Sequence, residues 1–473
     1  MRSISVRNKI ITLLCLVLAT PGWGKVILRW TQSSIPPAAN MGIGDVLVSS
    51  DAEALIKTAH QQGYRVYAEV PMSNVTAPPL TSKSDLAGVV LNAGNSQPSQ
   101  IDAALVALRS AYAELPVLVL DSRGKQPQMK GQLVIKRDGV LQVTSPTAQP
   151  WIDSNLGLIR FDQAFRPSQT PLYEFQWDLS DPLQQEQGPD AADYLLAIAE
   201  AGAFHADLVL DLHPKLQTDL LRNDPAAWAV LKLIKTYLAF SAVERPGEPE
   251  ANVGVIANTY GDSYEAINLL ARHNIPFHVL TPSDVKPHSL DNFDLLVTFA
   301  TPDEPTAAAI ADFATRGGIA VLVGVQGGQR PWQSAQPVPA GEHAVSYATG
   351  KGRVIELAEA VTDPETFAQD IRRLLNNDSV WISLWNSLTT LAVSYRQPGS
   401  SEKIVELVNY AQEPLRVQVQ VKGLFSSVRY ETPEHGCCES LVPVQRGGFT
   451  EFVVPSLWIA GRVHLAEGIA APH

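Results

Sequence analysis

The chain has 473 residues, of which 45% are hydrophobic and 18% are charged, and its formal net charge is −12. This length and aliphatic content predict a protein of roughly two to four domains with a large buried core. The acidic balance disfavours nucleic acid or an anionic membrane surface as a partner.

Residues 1–24 are predicted to form a cleavable secretion signal. Three basic residues precede the apolar run Ile10–Thr20, which is too short to span a bilayer. Gly22 and Gly24 then place small residues at the −3 and −1 positions of a cut before Lys25. The protein is therefore expected to be secreted or periplasmic, and no later run is long and apolar enough to predict a membrane helix.

Residues 25–243 alternate short β-branched or aliphatic runs with helical or loop stretches. Eight such runs predict a (β/α)8 barrel of the smaller kind. A doubly wound sheet is the competing architecture, but the strand count and the lack of a glycine-rich phosphate loop favour the barrel. The eight predicted strands are Val26–Trp30, Asp45–Ser49, Arg65–Val70, Gly88–Asn92, Pro116–Asp121, Leu156–Asp162, Leu172–Asp178 and Asp207–His213.

A β-hairpin is predicted between the fifth and sixth of these strands. Gln132–Ile135 and Val140–Val143 alternate in polarity, and Asp138-Gly139 between them is a strong hairpin turn signal.

A Pro/Glu-rich stretch, Glu244–Glu250, is predicted to link the barrel to a second α/β domain at 251–375. The pattern of that domain is typical of a small flavodoxin-like parallel sheet. Its predicted strands are Ala251–Ala257, Pro276–Leu280, Leu295–Phe299 and Ala320–Val323, and its predicted helices are Ser263–His273 and Ala307–Arg316.

Residues 388–467 alternate apolar and polar side chains with a period of two, which predicts a small antiparallel β-sandwich. Its predicted strands are Leu391–Tyr395, Lys403–Tyr410, Leu415–Val421, Val428–Glu431, Phe449–Val454 and Val463–Leu465. Cys437 and Cys438 are adjacent here, so they cannot build a disulfide framework or a Cys-x-x-Cys zinc site. We expect them to be reduced or bridged to each other, with an intermolecular bridge or a redox role as the alternative.

The order of signal, barrel, flavodoxin-like domain and sandwich resembles bacterial glycoside hydrolases built like the β-galactosidases that have a trimerisation domain. Val253–Tyr260 and Ala320–Gly324 are similar to the middle domain of those enzymes, which looks like a class I glutamine amidotransferase that has lost its nucleophile. Val405–Pro414 and Thr450–Leu457 resemble the sandwich that closes many such hydrolases. The resemblance implies a carbohydrate substrate and a possible homo-oligomer, a trimer by analogy. Those galactosidases carry an Asn-Glu pair after strand four, whereas this chain has Asn92 followed by alanine.

Catalytic groups of such a barrel lie at the carboxyl ends of its strands, and side-chain alternation indicates which of them face inward. In the seventh strand, Glu174 and Asp178 share one face and the aromatic residues share the other. The predicted rim residues are Glu69, Asp121, Arg160, Asp162, Glu174, Asp178, Asp211 and His213.

Glycoside cleavage needs one carboxylic acid to protonate the leaving oxygen and a second carboxylate to attack the sugar or activate water. We predict Glu174 or Asp178 as one catalytic carboxylate and Asp121 or Asp211 as the other, without assigning acid and nucleophile. The predicted substrate-binding residues are Glu69, Arg160, Asp162, His213, Trp30 and Trp151.

Each candidate also has a structural interpretation. Acids at strand ends often cap the next helix, and a buried Glu174 suits an ion pair with Arg160 or Arg29. Asp211 and His213 have the spacing of a metal pair, but no third ligand is evident, so neither a metal nor a cofactor is predicted.

The first functional hypothesis is a secreted or periplasmic hydrolase that cleaves glycosidic bonds in an oligo- or polysaccharide. The alternative is a non-catalytic barrel that binds glycan or assembles envelope polysaccharide, which the missing Asn-Glu pair favours. An amidotransferase or esterase is disfavoured, since the middle domain has no cysteine and the chain has no Gly-x-Ser-x-Gly elbow.

Overall fold

The structure is a computed structural model, and it describes residues 25–467 with internal gaps. The gaps are residues 76–82, 95, 131–133, 138–139, 144–150, 178–185, 243–246, 287, 325–326, 329, 342, 360, 362, 376–379, 397–398 and 412. The predicted signal at 1–24 and the candidate Asp178 lie outside the described residues. No helix in the described part of the chain has the length and apolar character needed to cross a membrane.

The first part of the chain forms a barrel that seven parallel strands close, in the order β1-β11-β10-β5-β4-β3-β2. Two short antiparallel pairs, β6 with β9 and β7 with β8, lie between β5 and β10, and the second pair is the predicted hairpin. The strands are β1 Val26–Arg29, β2 Asp45–Ser49, β3 Arg65–Pro71, β4 Gly88–Asn92, β5 Val117–Asp121, β6 Gln128–Lys130, β7 Val134–Arg137, β8 Val140–Val143, β9 Trp151–Asp153, β10 Leu172–Phe175 and β11 Asp207–Asp211. The helices are α1 Ala38–Met41, α2 Glu53–Gln61, α3 Pro98–Ala111, α4 Leu156–Phe165, α5 Ala191–Phe204, α6 Pro214–Leu221 and α7 Pro225–Ser241.

Side-chain alternation divides each barrel strand into an inner and an outer face. One buried apolar cluster takes one residue from each strand and fills the middle of the barrel. Its members are Ile27, Leu47, Tyr67, Val90, Leu120, Leu172 and Val209. The next inward position towards the carboxyl end is polar in six of the strands, and these six residues are Arg29, Ser49, Glu69, Asn92, Glu174 and Asp211.

The predicted sixth strand is wrong, because Leu156–Asp162 lies within helix α4. All seven residues of that stretch are buried. A short run that is buried on every side has no exposed face to reveal its period, so alternation alone cannot separate a strand from a helix. The barrel therefore has seven strands rather than eight, and β10 pairs directly with β5.

The junction between β5 and β10 is short, with Leu172 opposite Leu120 and Tyr173 opposite Asp121. The side chain of Gln169 completes the hydrogen bonding of β5. Its Oε1 accepts from the backbone N–H of Val119 at 3.3 Å, and its Nε2 donates to the Val119 carbonyl at 3.0 Å. An amide side chain thus takes the place of a backbone neighbour where the barrel lacks a strand.

The second part is an α/β sheet in the order β14-β13-β15-β16-β19-β18-β17. Its five parallel strands follow the order 2-1-3-4-5, as in flavodoxin-type sheets, and an antiparallel pair that the sequence analysis missed extends one edge. The strands are β13 Val253–Ile256, β14 Phe277–Leu280, β15 Leu295–Thr298, β16 Ile319–Val323, β17 Pro337–Gly341, β18 Ala344–Thr349 and β19 Gly352–Leu357. The helices are α8 Tyr260–Arg272, α9 Glu304–Arg316 and α10 Pro364–Leu374.

The third part is two antiparallel sheets that enclose an apolar core. One sheet has the order β12-β21-β22-β28-β24-β25 and the other has the order β20-β23-β27-β26. Strand β12 comes from the predicted linker, so this stretch is also an edge strand of the sandwich. The strands are β12 Glu248–Pro249, β20 Ile382–Trp385, β21 Thr390–Arg396, β22 Lys403–Asn409, β23 Leu415–Lys422, β24 Ser427–Thr432, β25 Gly436–Leu441, β26 Val444–Arg446, β27 Phe449–Leu457 and β28 Ala460–Ala466. Cys437 and Cys438 in β25 are joined by a disulfide.

Candidate functional site

Arg29 is the centre of the polar layer at the carboxyl end of the barrel. It is the last residue of β1, and its guanidinium contacts carboxylates from three other strands. Nε and Nη2 donate to the two oxygens of Glu69 at 3.1 and 2.7 Å, and Nη1 donates to Oε2 of Glu174 at 2.6 Å. Nη1 also lies 3.7 Å from Oδ2 of Asp211. Burial alone would lower the pKa of Arg29, but the three carboxylates outweigh it and raise that pKa.

Glu69 is held from two sides. Besides its paired bonds to Arg29, its Oε1 accepts from Nδ2 of Asn92 at 2.7 Å. Asn92 is in turn oriented by the backbone N–H of Gly94, which donates to its Oδ1 at 3.2 Å. Asn92 ends β4 and pairs with Pro71, two residues beyond Glu69 on the neighbouring strand β3, so the sheet itself brings the two side chains together.

Glu174 is the most enclosed carboxylate of the group, with its side chain only 1% exposed. It points inward because it alternates with Tyr173 and Phe175 along β10. Arg29 contacts one of its oxygens, and the side-chain amide of Gln176 donates to the other. Burial raises the pKa of Glu174, and the Arg29 charge opposes this rise.

Asp211 is the most accessible of the three carboxylates, with 36% of its side chain exposed. It ends β11 directly opposite Arg29 in the strand register. Burial raises the pKa of Asp211, while Arg29 counters that effect. Two residues on, the backbone N–H of His213 donates to the Tyr194 hydroxyl at 3.0 Å, and His213 Nδ1 accepts from the Lys215 N–H at the start of α6.

The net charge of this cluster is negative, because one guanidinium faces three carboxyl groups. Such an arrangement favours a proton on one of the acids, or a ligand that develops positive charge. The transition state of glycoside cleavage is oxocarbenium-like and carries positive charge on the sugar ring. The cluster therefore has the negative charge that glycoside cleavage uses, and its carboxylates differ in exposure, from 1% for Glu174 to 36% for Asp211.

Asp121 does not join the cluster, although it also ends a barrel strand. Leu118 and Leu120 occupy the inner face of β5, so the intervening alternation turns Asp121 outward. Its carboxylate instead accepts from Arg123 and lies 3.3 Å from Nη2 of Arg166. Burial opposes the ionisation of Asp121, but the bonds from Arg123 outweigh it and lower its pKa. The expectation that Asp121 and Asp211 share one rim is wrong.

Asp162 belongs to the same outer cluster and not to the barrel mouth. It lies on helix α4, and its Oδ1 is 2.5 Å from Nη2 of Arg166. Burial, together with the charge of Asp121, raises the pKa of Asp162 to about 7. The substrate-binding role predicted for it depended on a sixth strand that the barrel lacks.

Arg160 and Trp30 are both enclosed outside the inner face of the barrel strands, so neither joins the Arg29 cluster at the barrel mouth. Arg160 lies on α4, where Nη1 donates to Oε1 of Gln163 at 2.8 Å and Nη2 donates to the Tyr395 hydroxyl at 3.3 Å. It thus holds the helix against the sandwich. Trp30 is 1% exposed, and its indole N–H donates to the Ser34 carbonyl at 2.7 Å. The prediction that these two residues bind substrate is wrong for this reason.

Trp151 lies in β9, opposite Lys130. Asn92 is a site residue that the sequence analysis did not propose, and Arg29 was proposed only as a structural ion-pair partner of Glu174, a pair that the structure contains. Both end a strand with the inward parity of Glu69, and that signal alone identifies them.

Comparisons with known proteins show the fold. No protein-family model matches the chain, and no curated protein sequence matches it. An α-L-fucosidase (isoenzyme 2) from Paenibacillus thiaminolyticus has a similar structure, with a TM-score of 0.57 and 13% identity over 94% of this chain and 100% of that one.

Two further solved structures are similar with lower TM-scores. An exo-β-1,4-mannosidase from Opitutaceae bacterium strain TAV5 has a TM-score of 0.45 and 11% identity over 74% of this chain and 93% of that one. A β-galactosidase from Bacillus circulans sp. alkalophilus has a TM-score of 0.41 and 10% identity over 88% of this chain and 67% of that one. The likeness to the fucosidase shows that this chain shares the overall fold of that protein.

Proposed function

We propose that this protein is an exported glycoside hydrolase that cleaves glycosidic bonds in an oligo- or polysaccharide. The observation that carries the proposal is the convergence of Glu69, Glu174 and Asp211 on Arg29 at the carboxyl end of the barrel. This is the end of a barrel where catalytic groups of such folds lie. The fold shared with the fucosidase supports the same reaction class.

Glu174 and Asp211 are the carboxylate pair of this proposal. Both have an oxygen near the same nitrogen, Nη1 of Arg29, at 2.6 and 3.7 Å. Oε2 of Glu174 and Oδ2 of Asp211 therefore lie no farther apart than the sum of their distances to this nitrogen. Such closeness fits the separation of about 5–5.5 Å in retaining enzymes better than the roughly 6.5–9.5 Å of inverting ones. A retaining reaction follows from the proposal.

Exposure and charge divide the two roles. Asp211 is the more accessible, burial raises its pKa, and Arg29 lies at 3.7 Å, so we assign it proton donation to the leaving oxygen. Burial raises the pKa of Glu174, and the direct bond from Arg29 at 2.6 Å opposes that rise, so we assign Glu174 the ionised role that attacks the sugar. Because its side chain is only 1% exposed, this role requires the substrate to displace the groups that cover it. Glu69, bonded to Arg29 and Asn92, positions the guanidinium.

A second candidate function is glycan binding without cleavage. Two observations favour it: Arg29 contacts all three carboxylates, and Ala93 follows Asn92 where the similar galactosidases have their acid. In that case the barrel mouth recognises sugar hydroxyls with its carboxylates and performs no chemistry. The protein would then serve in envelope polysaccharide assembly or in capture of a glycan.

A screen on aryl glycosides and polysaccharides separates the two functions. We compare the wild-type protein with the double variant Glu174→Gln/Asp211→Asn, since both changes keep the side-chain size. Hydrolysis by the wild type and none by the double variant is expected. Glycan binding by both proteins, with no turnover of any substrate, would replace the hydrolase by the binding function.

A further inference from the structure

A cavity of about 810 Å³ lies between β12, the second sheet and the sandwich. It is separate from the barrel mouth: its lining includes Glu248 and His278, which also line a pocket beside Lys25 and Asp207 at the amino-terminal end of the barrel strands. A volume of this order accommodates a sugar unit and is far larger than a single ion needs.

Three basic side chains from three consecutive sandwich strands converge on this cavity. Arg396 ends β21, Lys403 begins β22 and Lys422 ends β23. Glu250 neutralises part of this charge, with Oε1 at 3.1 Å from Nε of Arg396 and Oε2 at 2.8 Å from Nζ of Lys403. Glu248 is the other acid of the lining, so the cavity carries a positive excess within a chain whose net charge is −12.

Within the described chain, the two lysines of the cavity have one negative partner between them, Glu250, which pairs with Lys403. Lys403 is 4% exposed, and burial, with further repulsion from Arg396 and Lys422, lowers its pKa despite Glu250. Among the described residues, Lys422 has no carboxylate within ion-pair distance. His278 adds no further positive charge, because burial lowers its pKa, and its Nε2 bonds the Pro249 carbonyl at 2.7 Å. An anion in the cavity would relieve this repulsion.

An aromatic surface stands beside the basic groups. The ring of Trp381 lines the cavity, and Nζ of Lys422 lies 5.9 Å from its centre. Within the described part of the chain, the enclosed indole N–H of Trp381 has no hydrogen-bond acceptor. An indole face packs well against the CH side of a pyranose ring.

We propose that this cavity is an accessory site for an acidic sugar unit, one that carries a carboxylate or sulfate group. Lys422 binds the anionic group, Trp381 packs against the ring, and Lys403 and Arg396 supply the surrounding positive potential. The choice of a sugar as the carrier of the anion rests on the proposed function. The binding itself needs no turnover, because the site lies away from Arg29.

Tryptophan fluorescence and calorimetry on the protein from Lys25 onward test this site. The probes are methyl β-D-glucuronide, methyl β-D-glucoside and inorganic sulfate, and the variants are Lys422→Gln and Trp381→Phe. Lys232→Gln is the matched control, since Lys232 is an exposed residue of α7. We expect the glucuronide to bind, Lys422→Gln to weaken it about tenfold through loss of a charge-assisted bond, and the control to bind as the wild type does. Trp381→Phe should remove the fluorescence change.

Three results would overturn the proposal. They are equal binding of the glucoside and the glucuronide, unchanged affinity in Lys422→Gln, or binding of inorganic sulfate with none of the glucuronide. The Glu174→Gln/Asp211→Asn protein distinguishes a failure of the accessory-site proposal from a failure of the hydrolase proposal. Glucuronide binding should persist in that double variant, whether or not the wild type hydrolyses any glycoside.

Discussion

Nη1 of Arg29 donates to Oε2 of Glu174 at 2.6 Å, although the strands that carry them, β1 and β10, are separated in the barrel by β11. The bond therefore crosses the open end of the barrel and does not follow the sheet. Within the described part of the chain, Arg29 is the only cation within ion-pair distance of Glu174, and the Glu174 side chain is only 1% exposed. The site depends on this pair, because an enclosed carboxylate is costly without a cation.

Replacing Arg29 by methionine should destabilise the protein by about 3–5 kcal/mol, since Glu69 and Glu174 both lose their cation in an enclosed position. Urea denaturation measures the change. Arg65→Met is the control, because Arg65 pairs with Asp45 at 2.5 Å but its side chain is 65% exposed. That substitution should change the free energy of unfolding by about 1 kcal/mol or less. Equal effects of the two substitutions would contradict the account.

Gln169→Ala should destabilise the barrel by about 1–3 kcal/mol, because the backbone N–H and carbonyl of Val119 both lose their partner. Gln169→Glu should also destabilise it, since it keeps the acceptor but loses the donor. Gln61→Ala, at an exposed helix end, is the comparison and should change stability by roughly 0.5 kcal/mol or less. Thermal unfolding of the three variants tests whether this amide completes the seven-stranded barrel, and an unaffected Gln169→Ala protein would show that it does not.

The stability of the protein should fall between about pH 4.5 and pH 7 because of Glu200, which lies on α5 and is buried against the sandwich. It accepts from the Tyr410 hydroxyl at 2.6 Å and from Nδ2 of Asn155 at 2.7 Å. Burial raises its pKa from 4.5 to about 7, so the folded protein holds the proton more tightly than the unfolded chain. This contribution to stability is complete below pH 4.5 and is lost as the pH rises to about 7.

The variant Glu200→Gln isolates this effect, since glutamine resembles the protonated acid and does not titrate. Its free energy of unfolding should decline by about 1–3 kcal/mol less than that of the wild type over the same pH range. Glu114→Gln, at an exposed position, should leave the wild-type pH dependence unchanged. Parallel pH profiles of the wild type and Glu200→Gln would mean that Glu200 does not titrate in this range.

Export predicts a mature chain that begins at Lys25. The backbone nitrogen of Lys25 donates to Oδ1 of Asp207 at 2.9 Å, so cleavage there would place a charged amine on that carboxylate. Intact-mass measurement on protein recovered from outside the cytoplasm should give the mass of residues 25–473. A mass that includes residues 1–24 in the exported protein would contradict cleavage at this position.

Alternation along strands predicted the most about the site. It indicated that Glu174 and Asp211 face inward at the same end of the barrel, and the structure brings both to Arg29. Asp121 was predicted as a catalytic carboxylate, but the same alternation turns it outward, because Leu118 and Leu120 already occupy the inner face of β5. Alternation thus identifies the side chains that face the barrel interior, but only where the stretch has been correctly assigned as a strand.

Other wrong site predictions arose where a stretch assigned as a strand is a helix. Leu156–Asp162 has the alternation of a strand, but the stretch is a helix buried on all sides, which no local pattern reveals. Arg160 and Asp162 belong to this helix, so they are not part of the site at the barrel mouth. The Arg29 cluster was also beyond local patterns, since it joins β1, β3, β10 and β11, and only closure of the barrel brings those strands together.

The most direct test of the carboxylate pair is the rate of glycoside hydrolysis by single variants, measured on the substrate that the screen identifies. Asp211→Asn and Glu174→Gln should each lower kcat/KM by roughly 10²–10⁴-fold, because each removes a group that acts on the scissile bond. Asp121→Asn, which changes a carboxylate that turns away from the barrel interior, should retain kcat/KM within about threefold of the wild type. Full activity in Asp211→Asn, or a loss in Asp121→Asn as large as in the other two, would contradict the placement of the reaction at Arg29.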